Sequence, residues 1–264
     1  MFGFPWRLKP LIDVAKFMLL GAVLIYLITL ATQRAGYYWQ WYRIPRYLFT
    51  VTDDGLRLGP LLTGLFVTLK ITAVSMFLAF AFGLICVLMR LSGSFCARAL
   101  SRVYLELIRN TPLLIQIFLI YFVIAPIFDM GSFSSAVIAL SLFEGAYISE
   151  ILRAGILSVP KGQWEAGYSL GLRESDVYMH VVGPQAVKNM LPGLTGQAVS
   201  LIKDSALVST IAIYDLTMQG QAIVAETFLA FEIWFVVALI YLAMTLSLSS
   251  VMHVMEKRMG RSSA

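Results

Sequence analysis

Few residues in this 264-residue chain can do chemistry, because only 13% of it is charged. Seven charged side chains fall inside long apolar runs: Lys70, Glu144, Glu150, Arg153, Lys203, Asp204 and Glu232. A charge in hydrocarbon is costly and is kept where it faces a bundle interior, a wet cavity or a partner. Lys70 and Glu232 stand toward the ends of their runs, so both are expected to snorkel, Lys70 with the longer reach. Glu150 and Arg153 are spaced i, i+3 and are expected to form a structural ion pair. Glu144 has no opposite charge one turn away. It stands in Phe143-Glu144-Gly145-Ala146-Tyr147, where two small residues permit close helix approach. Such a carboxylate needs a partner from another helix, from water or from a ligand. Lys203 and Asp204, with Ser205 beside them, can contact it, and a substrate ammonium can pair with it. Glu144, Tyr147, Lys203, Asp204 and Ser205 are therefore the candidate substrate-pathway residues. The competing reading is a purely structural interhelical pair.

Other chemistries lack their residues. No Gly-x-x-x-x-Gly-Lys-Ser/Thr phosphate loop occurs, so ATP chemistry is not expected in this chain. His180 and His253 stand in no nucleophilic constellation. Cys86 and Cys96 make neither a disulfide framework nor metal-ligand spacing. No cofactor, metal or catalytic residue is expected. Uphill solute movement would then draw its energy from a partner or from an ion gradient.

The elements that hold these residues are read from hydropathy. Apolar residues make up 59% of the chain and mean hydropathy is +0.81, which excludes a soluble globular enzyme, a disordered chain and a disulfide scaffold. Six runs are long enough to cross a bilayer: 14–32, 62–89, 113–129, 133–157, 194–213 and 228–250. They are continuous rather than alternating, so helices must satisfy the backbone in lipid. The expected fold is an all-α membrane protein with six transmembrane helices. With the N-terminus placed inside, the inner segments carry thirteen Lys and Arg, from Arg7, Lys9 and Lys16 to Lys257, Arg258 and Arg261. The outer segments carry four: Arg34, Arg43, Arg46 and Arg57. That bias places both termini in the cytoplasm. The net charge of +5 is spread between apolar runs rather than gathered in a patch, so no nucleic acid partner is expected. The first run is read as an uncleaved anchor. The aromatic-dense outer stretch Tyr37, Tyr38, Trp39, Trp41 and Tyr42 is read as a membrane-interface segment.

The inner connection 158–193 departs from the cationic trend. Lys161, Arg173 and Lys188 are balanced by Glu165, Glu174 and Asp176. Pro160 ends the preceding helix. Trp164, Gly167, Tyr168, Leu170 and Gly171 recur at helical spacing, which predicts a short amphipathic helix over 163–177 with Gly171 allowing a turn. Its apolar face needs a partner, and a docked subunit is the natural one.

These residues resemble the EAA loop of ABC importer permeases. That pattern is Glu-Ala-Ala, three residues, Gly, nine residues, then Ile-x-Leu-Pro. Glu165-Ala166-Gly167, Gly171 and Val181-Val182-Gly183-Pro184 keep its spacing throughout, with Gly167, Val181 and Gly183 as departures. Three further stretches resemble the polar amino acid subgroup, the histidine/glutamine permease type. They are Arg109-Asn110-Thr111-Pro112-Leu113-Leu114-Ile115-Gln116, the run from Glu144 to Ile156, and Ile202-Lys203-Asp204-Ser205-Ala206-Leu207.

The resemblance covers roughly residues 60–255. It implies a five-helix permease core over 62–255, preceded by an extra helix and periplasmic segment over 1–61. It further implies an ATP-driven importer for polar amino acids in the bacterial inner membrane. The expected partners are a cytosolic ABC ATPase dimer, a second permease subunit and an external solute-binding protein. Glu165, Ala166, Gly167 and Gly171 are implied as the ATPase-coupling residues. The alternative from a different class is a secondary amino acid transporter driven by an ion gradient, which Glu144 and Asp204 would equally serve. A non-transporting scaffold would not need charges at mid-membrane.

Overall fold

Pro60 opens a long core helix at the position where a missing backbone N–H has no helical partner to lose. In the computed structural model, which describes residues 9–34, 36–52 and 55–261, this helix is α3 (Pro60–Leu91). The chain divides after Arg43 into two units. The first holds α1 (Lys9–Arg34) and a single 3-10 turn at Trp41–Arg43. Its aromatics touch one another: Trp39 stacks on Trp41 with centroids 5.6 Å apart, and Tyr37 meets Trp39 edge-on at 5.6 Å. Arg7, counted among the inner cations, lies outside the described residues.

The second unit begins with a short helix, α2 (Pro45–Leu48), and a hairpin of β1 (Phe49–Thr52) and β2 (Gly55–Leu58). Phe49 pairs with Leu58 and Thr52 with Gly55 in antiparallel register. The hairpin corrects the all-α expectation. Phe49-Thr50-Val51-Thr52 combines aromatic and β-branched residues that favour strands, and Gly55 takes a φ of +114°.

The helical body follows as α4 (Phe95–Arg109), α5 (Leu113–Phe118), α6 (Ser132–Leu157), α7 (Lys161–Ser169), α8 (Glu174–Asp176), α9 (Gly183–Asp204), α10 (Leu216–Thr227) and α11 (Ala230–Arg261). Each of the six expected spans contains helix. Among the described residues, however, only α3, α6 and the Ala230–Val254 part of α11 are long and apolar enough to cross a membrane alone. Phe95–Arg109 and Leu113–Ile127 qualify together, bent by 107°. The bend falls where Pro112, as the N-cap of α5, holds an extended conformation (ψ 138°). Helix α4 was not expected in the inner segment 90–110. Ser94 caps its start, its side chain accepting from the Ala97 N–H.

Two further boundaries differ. The span expected at 194–213 begins earlier, at Gly183, and ends as a 3-10 stretch, Ser205–Ile211. Pro192 sits inside α9 without ending it. The helix expected over 163–177 breaks after Ser169, and a π-helical segment, Val177–Val182, leads into α9.

Lipid tails are as apolar as leucine, so helix association in a bilayer depends on close packing and polar contacts more than on burial. The α3–α6 contact shows the close packing. A Cβ added at Gly145 would lie 2.9 Å from Phe82 Cβ and 3.1 Å from the Ala79 carbonyl oxygen. The Tyr104 hydroxyl donates to the Leu142 carbonyl at 2.6 Å and ties α4 to the same helix. Around this seam, Ile71, Ile117, Leu140, Leu201 and Val208 form one buried cluster, and Ala79, Ile148, Leu152, Val182 and Ala186 form another.

Candidate functional site

Helix α6 carries Glu144 fully buried, on the face that also presents Ser141 and Ile148. Helix α9 packs along α6 and presents Gln197 and Asp204, seven residues apart and so on one face. The Gln197 side-chain amide donates to Glu144 Oε2. Glu144 Oε1 is buried and, among the described residues, receives no hydrogen bond. The Asp204 carboxyl approaches Glu144 closely enough to interact with it. The site is therefore rich in acceptors. Two carboxyl groups and one amide converge, and no described cation is paired with Glu144.

The other expected pathway residues sit around this pair in different ways. Lys203 is exposed and bears electrostatically on Asp204, its chain neighbour. Ser205 is buried, but its hydroxyl donates to the Ile202 carbonyl at 2.7 Å, which serves the change from α-helix to 3-10 helix. Tyr147 is half-buried against Phe143, with centroids 5.1 Å apart, and the Arg109 guanidinium lies 5.8 Å from its ring centre. The structure thus brings Glu144 and Asp204 together and leaves Ser205 in a backbone role. Gln197 was missed. Its signal in the sequence is an amide two turns before Asp204 on the same helical face.

Two charge assignments change. Glu150 does not pair with Arg153. Its Oε1 accepts from Arg109 Nη1 at 3.1 Å and forms an ion pair with Arg90, whose Nη1 lies 3.0 Å away, so it ties α3, α4 and α6 together. The packing of α3 and α4 against α6 brings these partners within reach, which local spacing does not encode. Glu232 does not snorkel; it is fully buried. Lys70 is exposed, with its ammonium 5.2 Å from the Phe133 ring centre.

The segment expected to couple forms two helical pieces around a defined break. At the end of α7 the Gly171 N–H donates to the Tyr168 carbonyl, and the Leu172 N–H to the Gly167 carbonyl. With Gly171 at a φ of +74°, this is a Schellman C-cap, in which glycine takes the left-handed conformation without a Cβ penalty. Gly167 is buried, and a Cβ there would come within 2.9 Å of Val177 Cγ2. Trp164 packs edge-on against Tyr178 at 4.7 Å. Trp164 and Gly167 thus hold α7 against the return segment, while Glu165, Ala166, Tyr168 and Leu170 are exposed. Gly167 and Gly171 shape the segment, and Glu165 and Ala166 face outward from it.

A buried Glu144 with a half-buried Asp204 beside it, set in a body of long apolar helices, and a largely exposed helical segment between α6 and α9 are the features of a membrane transport subunit. Residues 79–261 match the family described as binding-protein-dependent transport system inner membrane component, and the chain belongs to that family. It is 41% identical over 206 residues to the L-cystine transport system permease protein TcyB of Bacillus subtilis (strain 168), covering 76% of this chain and 88% of that protein. It is 38% identical over 202 residues to the glutamine transport system permease protein GlnP of Escherichia coli (strain K12), covering 75% of this chain and 92% of that protein. Among solved structures, a crystal structure of an amino acid ABC transporter with histidines matches with a TM-score of 0.71 and 38% identity, over 75% of this chain and 94% of that one. An inward-facing MetNI methionine ABC transporter shares the fold at a TM-score of 0.66 and 18% identity, over 76% and 96% of the two chains. The chain is an ABC importer permease for amino acids.

Proposed function

We propose that Glu144, Asp204 and Gln197 receive the α-ammonium of a polar amino acid midway through the membrane. The carrying observation is the buried Glu144 Oε1 that no described donor satisfies, beside a second carboxyl. An ammonium offers three N–H donors and one positive charge. It satisfies the orphan oxygen and offsets the cost of holding two carboxyl groups out of water. Tyr147, at the half-buried edge of the same helix, and Lys203, beside Asp204, flank this route.

The exposed face of α7, with Glu165 and Ala166, docks on a cytosolic ABC ATPase dimer. ATP binding to that dimer moves α7 as a lever, and α6 and α9, directly joined to the segment, rock around the carboxylate pair. For this to work, ATP must bind one arrangement better than the other. The chain works with a second permease subunit and an external solute-binding protein, in a bacterial inner membrane with both termini cytoplasmic. Residues 1–61 form an added helix and periplasmic segment before the permease core at 62–255. Glutamine and cystine appear in the names of the relatives, which supports a polar amino acid as cargo. Nothing in the relatives favours the ion-gradient alternative.

The test is uptake of labelled polar amino acids into vesicles that hold the chain with its ATPase and binding protein. Uptake that requires ATP and survives collapse of the proton gradient supports this reading. Uptake that follows the ion gradient without ATP overturns it.

A further inference from the structure

Where α3, α4 and α6 meet, a cavity of about 320 Å³ is lined by Arg90, Arg98, Arg102, Arg109 and Arg153. Two carboxylates, Glu106 and Glu150, share the same walls, leaving a formal excess of three positive charges. Glu150 is committed to Arg90 and Arg109 through one oxygen, and Glu106 accepts from the Asn110 side-chain amide at 2.8 Å. Among the described residues, no carboxylate pairs with Arg98, Arg102 or Arg153. Uncompensated guanidinium groups collected in a pocket suit an oxyanion, above all a phosphate, which the planar fork can grip through two N–H groups at once.

The surroundings say what carries the phosphate. Arg98, Arg102 and Arg109 fall within about 40° of one another around α4, at about 100° per residue. The exposed apolar residues Leu100, Val103 and Leu107 occupy another face of the same helix. Next to the arginine cavity lies a second groove of about 190 Å³, lined by Phe82, Ile85, Met89, Leu100 and Leu142 and almost wholly apolar. Ser101 lines both. A cationic pocket and an apolar groove that share Ser101 as a wall, on a helix turned sharply from its successor, have the two-part chemistry of a phospholipid: headgroup in one, acyl chain in the other. A free anion would have no use for the groove.

We propose that the Arg98, Arg102 and Arg153 cavity binds the phosphodiester of an anionic phospholipid in the leaflet on the α7 side, with one acyl chain in the Phe82–Leu100 groove. This rests on the chain lying in a membrane and not on the ammonium site. Basic pockets between membrane helices hold anionic headgroups in this way. The lipid would brace the corner where α3, α4 and α6 meet, one helix away from the docking segment.

The test is native mass spectrometry of the full chain released from nanodiscs of phosphatidylcholine, with and without phosphatidylglycerol. The wild-type chain is expected to retain phosphatidylglycerol in preference to phosphatidylcholine. A triple variant, Arg98→Gln with Arg102→Gln and Arg153→Gln, is expected to lose that preference by at least about tenfold, since each surface cation contributes roughly a factor of five. Leu100→Trp fills the groove and leaves the arginines in place, so it is expected to lower retention of the same lipid. A third arm adds glycerol phosphate to phosphatidylcholine nanodiscs and is expected to leave the protein's melting temperature unchanged, whereas phosphatidylglycerol raises it. Three results would overturn the proposal: equal selectivity in wild type and triple variant, stabilisation by glycerol phosphate equal to that by the lipid, or a triple variant that keeps the lipid but loses its ATPase. The last would make the cluster a protein-docking surface.

Discussion

The Gln197 amide on α9 donates to the Glu144 carboxylate on α6, and it satisfies only one of that carboxylate's two oxygens. A fully satisfied pair would be a structural clamp between helices. A half-satisfied one, with Asp204 beside it, has capacity left for a donor from outside the chain. That distinction separates a packing role from a transport role, and it leads to different outcomes for neighbouring substitutions.

Glu144→Gln keeps the shape and removes the charge. If the carboxylate receives a ligand ammonium, uptake should fall at least tenfold while the protein still inserts and still binds its ATPase, because a hydrogen bond to a charged group is worth about 1.5–3 kcal/mol. Uptake with the partners present and co-purification of the ATPase measure the two effects separately. Wild-type uptake by this variant would leave Glu144 with a packing role.

Gln197→Leu removes the described donor to the buried carboxylate. An unsatisfied buried group costs about 1–3 kcal/mol, so thermal stability in detergent should fall. A saturating substrate should restore part of the loss, since its ammonium supplies the missing donors. Melting curves with and without the amino acid check this. A loss of stability that no substrate relieves would argue against ligand access to Glu144.

Substitutions in α7 should divide by role. Gly171→Ala forces a side chain into a left-handed conformation at a cost of about 1–2 kcal/mol. It should disturb the break between α7 and α8 and weaken coupling through shape. Glu165→Arg changes only an exposed charge and should leave the chain folded and inserted while uncoupling ATP hydrolysis from uptake. Normal substrate-stimulated hydrolysis in Glu165→Arg would remove Glu165 from the docking face.

Gly145→Val tests the seam between α3 and α6. The added atoms meet Phe82 Cβ and the Ala79 carbonyl oxygen, and overpacking of this kind costs about 1–3 kcal/mol. Expression and melting temperature should both drop, and the nearby Glu144 site should be lost along with the seam. A variant as stable as wild type would mean that the helices separate more readily than this contact suggests.

What the sequence made legible follows from the range over which each force acts. Long apolar runs mark spans because every backbone group in lipid must be satisfied within its own helix, and helix appears in each of the six runs. Glycine at 171 ends a helix by local backbone geometry, so its turn was readable from spacing. Glu150 illustrates the opposite case. Its i, i+3 neighbour was the obvious partner, yet Arg90 and Arg109 take it, because α3 and α4 pack against α6 and carry their arginines to it. Tertiary geometry of that kind leaves no periodic trace. Helix α4 and the hairpin at 49–58 were hidden differently: a basic segment read as loop carries its helical pattern in arginines rather than in apolar residues, and a four-residue strand is too short to assert a period. Gln197 was overlooked because it is uncharged, although it faces the same way as Asp204.

Direct binding tests most closely whether Glu144 holds the ammonium of the transported amino acid. Calorimetric titration of a polar amino acid into the purified permease–ATPase complex should give saturable binding that Glu144→Gln weakens at least tenfold, with an equal loss when the ligand's amino group is acetylated. Equal affinity of wild type and Glu144→Gln for the unmodified amino acid would contradict it.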